Sequence, residues 1–173
     1  MLLDFILNGV ATSWRIHPGE SLFEALRRHG RLEVKGNNCG NGECGACTVL
    51  LEGVPVPSCA LLAGRVAGKR VETVTSLGTL ERLHPLQQAF LQHSAVQCGY
   101  CVPGILLSMK ALLDREPTPS REKIAIALSG HLCRCTGYLQ QIEAVEALGL
   151  PYPSAAETNV VPYNDREGGE NGS

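Results

Sequence analysis

The sequence predicts an α+β fold in which a strand-rich N-terminal half is followed by an all-helical C-terminal half. Three observations carry this. Short apolar strands flank an Asn-Gly pair at the start, helix-period apolar residues run from residue 77 onward, and eight cysteines fall into two groups of four, one in each half. At 173 residues the chain is long enough for one ordinary domain or two small ones, each with little core of its own.

Residues 3–7 (LDFIL) and 10–16 (VATSWRI) flank Asn8-Gly9, a pair that supplies positive φ for a tight turn, so they are expected to pair as an antiparallel hairpin. Ser21 opens SLFEALRRHG. There Ser21 and Glu24 make a capping box, Leu22, Phe23 and Leu26 mark an apolar face, and Gly30 is a stop, which gives a helix of roughly two to three turns. TVLLEG, VPVPSC and KRVETV read as further short strands and complete a first domain over 1–76. HPLQQAFLQHSA, GILLSMKALLDRE, SREKIAIALSG and GYLQQIEAVEALG carry apolar residues at helical spacing. They place a bundle of about four helices over 77–150. The tail, 151–173, is rich in proline, glycine and polar residues without periodicity, and is expected to be disordered or extended on a partner.

A formal net charge of −2 offers no basic field for phosphates, and Trp14 and the four tyrosines are too scattered to form a stacking platform, so nucleic acid is excluded as a partner. No apolar stretch approaches the ~20 residues of a membrane span. The start, MLLDFILNGVATSW, lacks a charged segment followed by a continuous apolar one, and the chain reads as cytoplasmic. Arg27-Arg28 lies inside the first expected helix and is followed by HGRLEVKG, so it reads as a solvated helix face and not as an export signal.

The even number of cysteines first raises a disulfide framework, which the absence of a secretory signal disfavours. Cys39, Cys44 and Cys47, in CGNGECGACTV, have the C-x4-C-x2-C spacing of plant-type ferredoxins, and Cys59 follows in PSC. A 2Fe-2S cluster needs thiolates converging from one loop with backbone N–H groups aimed at the sulfurs; Gly40, Gly42 and Gly45 let the chain turn that tightly. Zinc sites commonly use paired C-x2-C hooks, which this group lacks. The second group, Cys98, Cys101, Cys133 and Cys135 in QCGYCVPG and HLCRCTGY, consists of two short hooks far apart, each just ahead of an expected helix. Two helix N-termini would then face an anionic centre. Taken alone this spacing leaves a structural zinc open, and the neighbouring ferredoxin-like loop favours iron.

Taken together, CGNGECGACTV, Ser58-Cys59, QCGYCVPG and HLCRCTGY resemble the small iron–sulfur subunit of the molybdenum hydroxylases. This is the xanthine dehydrogenase and aldehyde oxidoreductase family, which includes carbon monoxide dehydrogenase of the aerobic type. The resemblance runs over about residues 3–149, with two departures: Asn38 where the family commonly has glycine, and Val102 where threonine is common. It implies a β-grasp ferredoxin-like domain followed by a helical 2Fe-2S domain, and hence two 2Fe-2S clusters. It also implies a large molybdopterin-binding subunit, a medium FAD-binding subunit, and assembly as a dimer of heterotrimers. Gln97 and the ligand Cys135 would approach the molybdopterin. Electrons would pass from molybdenum to the helical-domain cluster, then to the ferredoxin-like cluster, then to FAD. The complex would hydroxylate an N-heterocycle or aldehyde with oxygen from water, with no catalytic residue in this chain.

Against that role, Gln97 has a plain alternative as a helix-end hydrogen-bonding residue. Arg134, between two cysteines, is suited either to screening thiolate charge or to a salt bridge with a partner. His17, His29, His84, His93 and His131 are not needed as ligands when eight cysteines serve two clusters, and are expected in surface or packing roles.

Overall fold

The computed structural model describes residues 1–36 and 39–148; Asn38 and the 151–173 tail lie outside the described residues. β1 (Leu2–Leu7) and β2 (Val10–Arg15) form the expected antiparallel hairpin, with Leu7 opposite Val10 and Leu2 opposite Arg15. Asn8 and Gly9 take φ values of 50° and 81°, as a two-residue turn with the twist of its strands requires. The Asn8 side chain is itself buried and accepts from Thr73 N–H at 2.8 Å, so the turn is pinned to a distant part of the chain.

α1 (Leu22–Arg28) begins as its sequence dictates. Ser21 Oγ accepts from Glu24 N–H at 3.2 Å, and the Glu24 carboxylate accepts from Ser21 N–H at 2.8 Å. Leu22, Phe23, Ala25 and Leu26 are buried, while Arg28 turns outward to Glu20 at 2.8 Å. β3 (Thr48–Leu51), β4 (Val54–Pro57) and β5 (Arg70–Glu72) complete one five-stranded sheet in the order β2-β1-β5-β3-β4. The last strand to be made occupies the centre, parallel to β1 and antiparallel to β3. This mixed sheet with α1 packed on it is the β-grasp ferredoxin-like arrangement.

Four helices follow: α2 (Pro85–Gln92), α3 (Val102–Arg115), α4 (Arg121–Leu128) and α5 (Leu139–Glu146). His84 caps α2 through Nδ1, which accepts from Leu86 N–H at 3.2 Å. In α3 every residue from Gly104 to Leu113 is buried, because this helix packs against α2, α4 and the sheet at once. Even Lys110 is only 5% exposed, its ammonium held by Asp114 at 2.5 Å.

Two apolar cores result. Leu3, Phe5, Leu26, Val49 and Val71 belong to the first, and Leu86, Phe90, Ile105, Leu107 and Met109 to the second. Successive residues of a strand point to opposite faces, so Val49 enters the first core while Leu50 enters the second. One strand thus joins both cores. No helix among the described residues is long and apolar enough to cross a membrane.

Candidate metal centres

All eight cysteines are free thiols, and the structure sorts them into pairs. In the loop between α1 and β3, Cys39 Sγ lies 3.3 Å from Cys44 Sγ, well beyond a disulfide bond. Cys47, at the loop's end, meets Cys59, which sits in the short turn Ser58–Ala60 after β4. The antiparallel β3–β4 ladder brings them together, with Thr48 opposite Pro57, and Ser58 Oγ donates to the Cys47 carbonyl at 2.7 Å.

The loop turns its backbone N–H groups toward the sulfurs. Those of Asn41 and Cys44, followed by the Cys44 thiol, hold the Cys39 pKa down at about 6. Burial pushes Cys44 up, and burial together with its contact to Cys47 pushes Cys59 up to about 11. Cys39 thus gives up its proton more readily than its neighbour Cys44. Binding a metal there must expel the remaining protons.

The second group follows the same pattern. Cys98 meets Cys135 near the surface, and Cys101 meets Cys133 further in. Burial opposes ionisation of Cys133, yet hydrogen bonds from Thr136, whose Oγ1 lies 3.2 Å from Sγ, bring it down to about 7. Burial pushes its partner Cys101 up to about 12. Cys101 is the N-cap of α3, as the hook-then-helix reading expects. Cys135 is separated from α5 by a turn ending at Tyr138, which has φ of 70° and whose hydroxyl accepts from Cys133 N–H at 2.8 Å and donates to His131 O at 2.9 Å. A cavity of about 200 Å³ opens against these four cysteines.

Each site offers two thiol pairs, which suits a 2Fe-2S cluster, whose four ligands divide two to each iron.

The two sites abut. Leu132 N–H donates to the Cys44 carbonyl at 3.0 Å, so one hydrogen bond links a cysteine of the first site to the residue preceding Cys133. His131, 4% exposed, fills the seam, with Nε2 2.7 Å from Ser108 Oγ. A Cβ on Gly45 would stand 2.3 Å from His131 Nδ1, and one on Gly104 would stand 2.3 Å from Gly45 O, so the backbones touch where only glycine fits.

Gln97 is exposed and lines the cavity of the second site with Cys98, Arg134 and Cys135. His29 stacks on Trp14 with ring centroids 4.1 Å apart, a packing role as expected. The structural work of His131, Ser108 and Gln141 was not legible in the sequence because it depends on contacts distant along the chain, and that of Tyr138 was not because its hydroxyl bonds to backbone groups only five and seven residues away depend on a left-handed turn. The one available signal was Gln141 interrupting the apolar spacing of its helix.

Two family models match the chain, a 2Fe-2S iron-sulfur cluster binding domain over residues 5–73 and a 2Fe-2S binding domain over residues 73–146. The nicotinate dehydrogenase small FeS subunit of Eubacterium barkeri is 45% identical over 143 residues, covering 83% of this chain and 91% of that one. The xanthine dehydrogenase iron-sulfur-binding subunit of Escherichia coli O157:H7 is 39% identical over 145 residues, with the same 83% and 91% coverage. Among solved structures, a chain of quinoline 2-oxidoreductase from Pseudomonas putida 86 superposes with a TM-score of 0.82 at 38% identity, covering 85% of this chain and 91% of that one.

Proposed function

This chain belongs to the family of small iron–sulfur subunits of the molybdenum hydroxylases, and on that premise we propose that it is the electron-transfer subunit of such a complex and performs no substrate chemistry itself. Cys39, Cys44, Cys47 and Cys59 hold one 2Fe-2S cluster in the ferredoxin-like domain, 1–76. Cys98, Cys101, Cys133 and Cys135 hold the other in the helical domain, 77–150. When bound, the clusters supply one-electron acceptance and release.

The observation that carries this reading is the pairing of all eight thiols into two abutting four-sulfur sites bridged by the Leu132 to Cys44 hydrogen bond. Two sites in such contact suit a relay better than two structural staples. The exposed Cys98 and Cys135, with Gln97 beside them, form the side that faces a molybdopterin on a large partner subunit. Electrons enter there and leave through the Cys39/Cys44/Cys47/Cys59 site to FAD on a medium subunit, in a cytoplasmic dimer of heterotrimers. The relatives' names refer to nicotinate, xanthine and quinoline, which supports an N-heterocycle as the substrate of the complex, with an aldehyde as the alternative.

Gln97→Ala in the assembled complex tests the entry side, because it spares every thiol. Stopped-flow spectroscopy should show slower substrate-driven reduction of the helical-domain cluster at unchanged iron content. Reduction of both clusters at the unmodified rate would remove Gln97 from the path. Stoichiometric zinc without iron in the native protein would overturn the whole reading.

A further inference from the structure

α5 buries one face made of Gln141, Ala144 and Val145, spaced three and four residues apart as the inner stripe of a helix. Two of those positions are apolar, and the first carries a carboxamide that is 0% exposed. Its Nε2 points at two sulfurs, 3.8 Å from Cys133 Sγ and 4.0 Å from Cys101 Sγ, within reach of N–H···S hydrogen bonds. Its Oε1 is buried without a hydrogen-bond partner. A leucine would fill the same space and leave no orphaned carbonyl, so this amide carries a cost that packing does not recover. The same side chain lines the cavity bounded by Cys98, Cys101, Cys133 and Cys135.

We propose that Gln141 is a positioning residue whose amide N–H donates to the inner thiolate pair, Cys101 and Cys133, and thereby raises the reduction potential of the helical-domain cluster. The inference rests on the assignment of those four cysteines as cluster ligands. Reduction adds one electron to a centre already negative; no bond is made or broken and no proton moves. The added charge increases electron density on the sulfurs, so a donor hydrogen-bonded to them stabilises the reduced form more than the oxidised one. Because it contacts only the inner pair, the amide leaves the exposed Cys98/Cys135 side clear. In the relay, it makes the entry cluster a better acceptor than its thiolates and burial alone would.

The test uses the complete cluster-loaded complex with Gln141→Leu, and with Gln141→Met as a second apolar side chain that keeps the length. Iron and sulfide are counted first, and each cluster is then titrated by EPR-monitored potentiometry. The expected result in both variants is four irons per chain, an unchanged ferredoxin-like cluster, and a lower midpoint for the helical-domain cluster alone. A fall of about 59 mV would correspond to a tenfold loss in the one-electron equilibrium constant. The Fe–S(Cys) Raman bands of that cluster should also lose part of their sensitivity to deuterated solvent. Unchanged midpoints and Raman bands with four irons in place would overturn the role of Gln141. A clusterless unmodified protein would instead overturn the ligand assignment beneath it.

Discussion

At the scale of single residues, each cysteine matters through the partner beside it. Cys44→Ser should cost the ferredoxin-like cluster and leave the helical-domain one, while Cys101→Ser should do the reverse; iron content and EPR would each fall by half, and loss of one common signal in both variants would contradict two separate sites. His84 gives a second, independent expectation. Burial, then the nearby charge of Lys110, hold its pKa at about 4, below the ~6.5 of an unfolded histidine. As pH falls, the unfolded chain binds the proton first, so this stability is complete above about 6.5 and is lost progressively down to about 4, at no more than ~1.4 kcal/mol per pH unit. Protonation would also convert the Nδ1 that accepts from Leu86 N–H into a donor. His84→Asn keeps a capping acceptor and removes the titration, so thermal melts between pH 7 and 4.5 should show a shallower dependence than the unmodified protein. The grouping of the cysteines was legible in the sequence because the short spacings within 39–47, 98–101 and 133–135 keep their thiols near one another whatever the rest of the fold does. His131 and Gln141 were not, since what makes them matter is burial against residues 86 and 40 positions away, Gly45 and Cys101.

Among the elements, α3 bears the heaviest constraint. Alanine for glycine inside a helix ordinarily stabilises by about 1 kcal/mol. At Gly104 the added Cβ would stand 2.3 Å from Gly45 O and 3.3 Å from His131 Cε1. Gly104→Ala should therefore reverse that sign and destabilise by roughly 1–3 kcal/mol in chemical denaturation, the usual cost of forcing extra volume into a packed seam. The hairpin, α1 and the four later helices could be read from Asn8-Gly9, the Ser21/Glu24 box and apolar spacing, because each of those signals is local. The place of β5 could not. A three-residue strand such as Arg70–Glu72 carries too little pattern to reveal that it inserts between β1 and β3, where its carbonyls accept from Asn8 N–H and Glu52 N–H, both far off along the chain.

For the whole molecule, the proposed division of labour has a direct consequence: the purified single chain should carry four irons and four sulfides and oxidise neither aldehyde nor N-heterocycle, and turnover by rigorously purified chain would contradict it. The participation of Leu50 in the helical core reaches further. By its cysteines the protein is two cartridges, yet its packing ties them into one body, since α3 starts at a cysteine of one site and lies across the sheet that supports the other. A gene fragment encoding only 77–148 would keep Cys98, Cys101, Cys133 and Cys135 but leave the sheet-facing side of α3 bare. Such a fragment should aggregate or lose its iron when made alone. It should be rescued by co-expression with 1–76, so exchange of cluster domains between relatives would have to carry β3 and α3 across together.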